Sequence, residues 1–310
     1  MNLNPQKAQL ARLAPVVGVV VGVSGIAFVI RTLVTKWDDV STAFSGVDPL
    51  PLAASTALGL AAMSLIGSLW SGMLQSRGHP APRRKAMAWY FVGQLGKYVP
   101  GGIWPVVGRA EMSVRGGVDR PDAYKATGLS LLTTYAAAPA AAGLGALLTG
   151  DRMAVGATVL IAYVLLWADM GNSGFTAAVA RIVSRGTRRD IVFPPRNQFI
   201  GLVAAHVPAW VLMSLSTSIT ANAFDARISV AEMLFVTSLS WLVGFLVPGV
   251  PGGIGVRESV FTALAGPTVG AGLAVSLALA SRVVFIAVDL IGAVVSSAVA
   301  GRSRAASAEV

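Results

Sequence analysis

The chain has 310 residues, of which 55% are apolar and only 12% charged, with a mean hydropathy of +0.69 and a net charge of +10. That is about half the charge of an average soluble domain, and the apolar residues come in blocks of twenty or more, so a water-soluble globular enzyme is excluded and an all-α polytopic membrane protein is predicted. The absence of cysteine excludes disulfides, thiolate nucleophiles and cysteine-bound metal centres, and two isolated histidines, His79 and His206, argue against a His-built metal site; no cofactor is expected.

A weakly basic start (Lys7, Arg12) precedes a first apolar run at residues 13–35, which lacks a small-residue cleavage pattern and reads as an uncleaved anchor. After a short polar stretch at 36–48, further spans are predicted at 49–75, 124–150, 153–183, 199–223 and 269–300, about six in all. Two more segments, 86–117 and 230–266, are apolar but interrupted by Pro and Gly. With the N-terminus inside, sixteen of the 24 Lys and Arg fall in inside segments, four fall outside, and Lys97, Arg109, Arg257 and Arg282 remain at membrane depth. The positive-inside rule then places both termini in the cytoplasm and the chain in the cytoplasmic membrane. This topology also absorbs most of the +10, with anionic inner-leaflet lipid as its partner rather than nucleic acid.

The interrupted segments share a pentapeptide, Val99-Pro100-Gly101-Gly102-Ile103 and Val250-Pro251-Gly252-Gly253-Ile254, 151 residues apart. Without gaps, Tyr90, Val92, Gly93 and Leu95 align with Trp241, Val243, Gly244 and Leu246, and each copy is followed by Arg and Glu, as Arg109 with Glu111 and Arg257 with Glu258. Three predicted spans lie between the copies, an odd number, so two hairpins that each enter and leave on one side would open to opposite sides. An inverted-topology repeat results, with halves at about 49–150 and 197–300 within a single transmembrane domain covering residues 1–310.

Pro-Gly-Gly breaks a helix, because Pro removes a donor and each Gly costs about 1 kcal/mol relative to Ala. Each copy is therefore predicted to be a re-entrant pair of short helices around a midplane break, where bare backbone must line protein or a water-filled cavity. The second helix of each pair would aim its N-terminus, worth about half a positive charge, at the membrane centre, so an anion is the natural occupant. Lys97, Tyr98, Gly101, Gly102, Arg109, Glu111, Gly252, Gly253, Arg257, Glu258 and Arg282 form the expected substrate site, with no catalytic or metal-binding residue among them. The plainer alternative is a turn-forming role for the Pro-Gly-Gly breaks, with Arg109–Glu111 and Arg257–Glu258 as local ion pairs; for the two glutamates both readings stand. Gln94 and Tyr98 precede the first break, to bond a headgroup or satisfy backbone. Arg282 and Asp289, seven apart on the last span, face one way, as a pair holding that helix to the bundle or, in the alternative, as residues lining the lipid path. His206, two residues before Pro208, reads as a hydrogen-bonded core histidine beside a kink, with a proton relay as the alternative, and Asp169 as a cap at the end of the fourth span.

Gly96-Lys97-Tyr98-Val99-Pro100-Gly101-Gly102-Ile103-Trp104 with the following Gly108-Arg109-Ala110-Glu111, and the stretch from Pro248 to Glu258 with the later Ser281-Arg282-Val283-Val284, resemble the lysylphosphatidylglycerol synthase transmembrane family. The resemblance covers nearly the whole chain and implies lipid translocation, either of an aminoacyl phospholipid or of a polyprenyl-phosphate-linked sugar. It also implies a glycosyltransferase or lipid synthase as a working partner. The chain ends at Val310, ten residues past its last predicted span, so a stand-alone member without the soluble synthase domain is expected, and synthase activity is not carried over. Two other readings remain open. One is a membrane glycosyltransferase using a polyprenyl-phosphate donor, with Asp38 and Asp39 as its acidic residues, against which the short external loops count. The other is a non-transporting scaffold for cell-envelope lipid enzymes.

Overall fold

The computed structural model describes residues 31, 34–35, 37–79, 81–98, 103–169, 194–247 and 250–306. Most of the first expected span, the far end of the fourth, and Gly101 and Gly102 lie outside them. The described residues form α1 (Trp37–Ser45), α2 (Pro49–Gln75), α3 (Arg83–Gln94) with a 3-10 turn at Leu95–Tyr98, α4 (Trp104–Arg115) and α5 (Arg120–Leu148). After a 3-10 turn at Gly150–Arg152 come α6 (Met153–Asp169), α7 (Arg196–Asn222), α8 (Val230–Leu246), a 3-10 turn at Pro251–Gly253, α9 (Val256–Val269) and α10 (Ala271–Ala306). Five of these helices, α2, α5, α6, α7 and α10, are long and apolar enough to cross a membrane, and α8 is a shorter apolar helix. The polytopic helical class follows. The polar stretch expected before the second span is itself largely helical, as α1.

Local chemistry starts these helices where the sequence changes character. Asp48 caps α2 by accepting from Leu50 N–H at 2.9 Å, and Pro49 takes the first turn, where no donor is needed. The Ser229 hydroxyl accepts from Glu232 N–H at 3.1 Å at the start of α8. Between helices the packing relies on small residues, because lipid gives no hydrophobic drive for association. α2 and α7 exchange hydroxyl bonds, Ser55 to the Ser216 carbonyl at 2.7 Å and Ser216 to the Ser55 carbonyl at 2.8 Å. α5 meets α8 at Gly145, where a Cβ would lie 2.5 Å from Phe235 N.

Helices α3 and α4 pack antiparallel: Gly93 lies against Arg109, Gly96 against Trp104, and Gly116 against the Trp89 ring. Their open end lies at the start of α5, where Glu111 bonds Arg120 and Tyr124. Helices α8 and α9 are antiparallel as well, with Gly244 against Arg257 at one end and Glu232 accepting from Thr268 at the other. This second open end lies just past the finish of α5, where Arg152 meets Glu232 at 3.2 Å. The 29-residue α5 is about 43 Å long at 1.5 Å per residue, so the two pairs open at opposite ends of the bundle. Their tips meet in between: a Cβ on Gly252 would lie 3.5 Å from the Lys97 carbonyl oxygen.

The α5–α8 approach is testable. Gly145→Ala pushes α8 off α5 and is expected to cost about 2 kcal/mol in reversible unfolding in mixed micelles. Gly128→Ala on the same helix, with nothing within 4 Å of its added carbon, is expected to be neutral or stabilising by up to about 1 kcal/mol. Equal losses at both positions would show that the close approach is not what holds the helices.

Candidate functional site

Each helix pair carries the same device. On α3, Gly93 follows Tyr90 by three residues and allows α4 so close that a Cβ there would lie 2.9 Å from Arg109 Cβ. The Arg109 guanidinium then sits 4.3 Å from the Tyr90 ring centroid and 5.4 Å from that of Trp70. On α8, Gly244 follows Trp241 by the same three residues, a Cβ there would lie 3.1 Å from Arg257 Cβ, and the Arg257 guanidinium sits 3.9 Å over Trp241. The register that aligns Tyr90 with Trp241 in sequence is thus also the packing register. Arg109 and Arg257 are 4% and 7% exposed, and among the described residues neither has a carboxylate within 4.0 Å. Arg109 Nε is buried without a hydrogen-bond partner. A ring face returns about 2 kcal/mol to a desolvated cation, whereas burying an ion costs several.

Helix α10 ties the two tips together. Asp289, fully buried, accepts from Lys97 Nζ at 2.6 Å and from the Tyr98 hydroxyl at 2.5 Å, both on Oδ2. Two turns earlier Arg282 pairs with Glu258, whose other oxygen accepts from Gly255 N–H at 2.7 Å. Gly252, with φ at 55°, turns the second tip against this cluster; a Cβ there would lie 3.3 Å from Arg282 Nη2. Lys97, Arg109, Tyr90 and Trp241 line a cavity of about 70 Å³ together with the hydroxyls of Thr127, Ser130 and Thr134. That is several times the roughly 10–15 Å³ needed to admit one water, so the cavity has room for a few. Of the four cations here, Lys97 pairs with Asp289 and Arg282 with Glu258, while Arg109 and Arg257 lie on ring faces. On the outer side of α3 and α4 runs an open groove of about 400 Å³, from Gly96 and Trp104 past Gly93 and Gly108 to Glu111 and Arg115.

Of the residues expected from sequence, the structure brings Lys97, Tyr98, Gly252, Gly253, Arg257, Glu258 and Arg282 to one cluster and sets Arg109 on the same cavity as Lys97. Glu111 lies apart, on Arg120 and Tyr124. Gly101 and Gly102 are outside the described residues. Among the described residues neither local ion pair closes to 4.0 Å: Glu111 bonds Arg120 and Tyr124 and Glu258 bonds Arg282 and Gly255 N–H, because side chains one or two apart on a helix point in different directions. Arg282 and Asp289 do share a face, yet each holds a different helix pair. Asp289, Tyr90 and Trp241 are the additions. The i, i+7 spacing signalled the first, and the aligned aromatics of the repeat signalled the other two.

Among the remaining polar residues, Gln94 donates to the Tyr90 hydroxyl at 2.8 Å, and buried His206 donates from Nδ1 to the Leu202 carbonyl at 2.7 Å as a core histidine. His79 bonds Asp122 at 3.0 Å, tying the loop after α2 to α5, and with Asp119 they bring three ligand-type atoms within 4.8 Å. Asp38 is exposed on α1; the side chains of Asp39 and Asp169 lie outside the described set.

A family model described as the lysylphosphatidylglycerol synthase TM region matches residues 16–292, and the chain belongs to that family. No curated protein matches the chain.

The bond between Lys97 and Asp289 predicts non-additive stability. Lys97→Met leaves a buried carboxylate without its cation and is expected to lose about 3 kcal/mol. Adding Asp289→Leu should recover most of that loss, read by unfolding in mixed micelles as a double-mutant cycle. Additive losses would show that the pair contributes no coupling.

Proposed function

We propose that this member of the lysylphosphatidylglycerol synthase transmembrane family translocates an anionic, phosphate-bearing lipid across the cytoplasmic membrane, with the α3–α4 and α8–α9 pairs as its two gates. The observation that carries this reading is the pair of buried arginines, Arg109 and Arg257, held on aromatic faces with no salt bridge to either, Arg109 on the wall of a cavity and Arg257 over Trp241, which lines the same cavity. Unpaired buried cations at such a place are costly unless an anion visits them.

In this reading the chain is one transmembrane domain of two halves in an inverted-topology repeat, and both helix pairs are re-entrant. Their opposite open ends and meeting tips support it. Both termini face the cytoplasm in this reading, which the placement of Lys and Arg in the sequence supports. The lipid enters sideways along the groove between α3 and α4, where Glu111 and Arg115 sit at the wide end and glycines let an acyl chain approach the backbone. A cavity holding only a few waters is the closed state, so a headgroup enters only after one tip moves. The substrates that suit the site are a polyprenyl-phosphate-linked sugar or an aminoacyl phospholipid. A glycosyltransferase or lipid synthase supplies or consumes it.

Flipping of fluorescent phosphate-headed lipids in proteoliposomes tests the anion site. Arg109→Gln and Arg257→Gln are each expected to slow it about tenfold or more, the worth of a charge-assisted hydrogen bond, whereas Arg84→Gln in the loop-proximal start of α3 leaves it within about twofold. Equal effects at all three positions would sink the midplane site.

Topology has its own test. Arg84→Cys should label only from the cytoplasmic side, and Asp225→Cys, at the tight turn after α7, only from the outside. Labelling of both from one side would remove the opposed gates while leaving the fold intact.

A further inference from the structure

We propose that Asp289 is a proton-binding site linked to the anion site: an entering phosphate oxyanion takes the Lys97 ammonium away from Asp289, which takes up one proton in exchange. Each anionic headgroup is then accompanied by one proton, and the transmembrane proton gradient can drive the lipid. The inference rests on the function proposed above.

The two buried carboxylates at the junction of the tips are not equivalent. Glu258 has both oxygens engaged, one by Arg282 and the other by Gly255 N–H. Asp289 concentrates both of its partners, Lys97 and Tyr98, on Oδ2, and its Oδ1 is buried with no hydrogen-bond partner. A buried oxygen left open in this way calls for an explanation, and a proton that comes and goes supplies one.

Lys97 is the paired cation that lines the cavity. It carries its charge on a flexible stem and lies 5.7 Å from the Trp241 ring that also supports Arg257. Arg282 is held by Glu258.

Once Lys97 turns to an anion, Asp289 keeps only the Tyr98 hydroxyl. The other groups around it do not replace the lost charge. Tyr90 on α3 is neutral and already bonded to Gln94. On its own helix Arg282 is engaged, on α9 Arg257 lies over Trp241 with Glu258 beside it in sequence, and α2 has no titratable side chain. On α7 His206 bonds its own turn, and on α1 Asp38 is exposed. A fully buried carboxylate stripped of its cation neutralises rather than remain charged. The balance is simple. One N–H···O contact from Lys97 to Asp289 breaks, one N–H···O contact from Lys97 to the phosphate oxyanion forms, and one proton from water becomes the O–H of Asp289.

Calorimetric titration of the full-length protein in detergent tests this, with dihexanoyl-phosphatidylglycerol and farnesyl phosphate as probes. The first has a phosphodiester whose own charge is constant across the range, and comparing the arms distinguishes the two lipid sources. Titrations at one pH in buffers of different ionisation enthalpy should report about one proton taken up per anion bound, and affinity should fall about tenfold per unit of rising pH. With dihexanoyl-phosphatidylglycerol, Asp289→Asn should abolish both the uptake and the pH dependence. The uptake measured on the unaltered protein decides the matter even if the variant folds poorly. Binding of phosphatidylglycerol with no proton uptake would overturn the linkage and leave the anion site standing. Binding of neither probe would overturn the anion site and the linkage with it.

Discussion

Asp289 and Arg282 stand two turns apart on one side of α10, and each reaches a different helix pair. Asp289 holds the tip of the first through Lys97 and Tyr98, and Arg282 holds the second through Glu258. Neither tip is a continuous helix, so each presents backbone that lipid cannot hydrate. Charged side chains therefore bind them to a continuous apolar helix, and the bundle must shield both the charges and the bare backbone. The surrounding aromatics, Trp70, Tyr90, Trp210, Trp241 and Phe285, all buried or nearly so, form that shield.

Such a shield demands close packing without a hydrophobic drive. The molecule achieves it with missing side chains and with hydroxyls. Gly93 and Gly244 let an arginine-bearing helix lie against its neighbour, and Ser55, Ser216 and Thr220 join α2 to α7 with bonds that compete with no water. The same economy seats Arg109 and Arg257 on ring faces instead of in salt bridges. A ring face stabilises a cation without cancelling its charge, so the positive potential remains available to an anion, whereas a salt bridge would quench it.

The duplication has a physical logic of its own. Two helix pairs of the same construction, opening at opposite ends of the bundle and meeting at their tips, differ in what they carry there. The first has Lys97 and a half-exposed approach along its groove, while the second has a tight glycine turn and a fully engaged glutamate. For the proposed transport cycle this asymmetry matters: the tip with the flexible cation is the one that can answer a ligand.

Hydropathy alone determined the helical membrane class, because spans long enough for a bilayer cannot be written any other way; the predicted 49–75 span and α2 coincide, and 199–223 matches α7 but for its last residue. The repeat of Val-Pro-Gly-Gly-Ile located both breaks, since Pro and Gly interrupt a helix by local chemistry. Alignment of Tyr90 with Trp241 and Gly93 with Gly244 already contained the arginine seats, although nothing in one dimension says that a guanidinium nineteen or sixteen residues past those rings will lie over them. Partner choice belonged to the tertiary structure. Adjacent Arg and Glu read as local pairs in sequence, but neighbouring positions on a helix diverge, so Glu258 found Arg282 and Glu111 found Arg120. Asp289 joined the site for the same reason: only the packing of α10 between the two tips brings it within 2.6 Å of a lysine 192 residues away, and ion pairs are decided by distance in space, which periodicity along one helix does not contain.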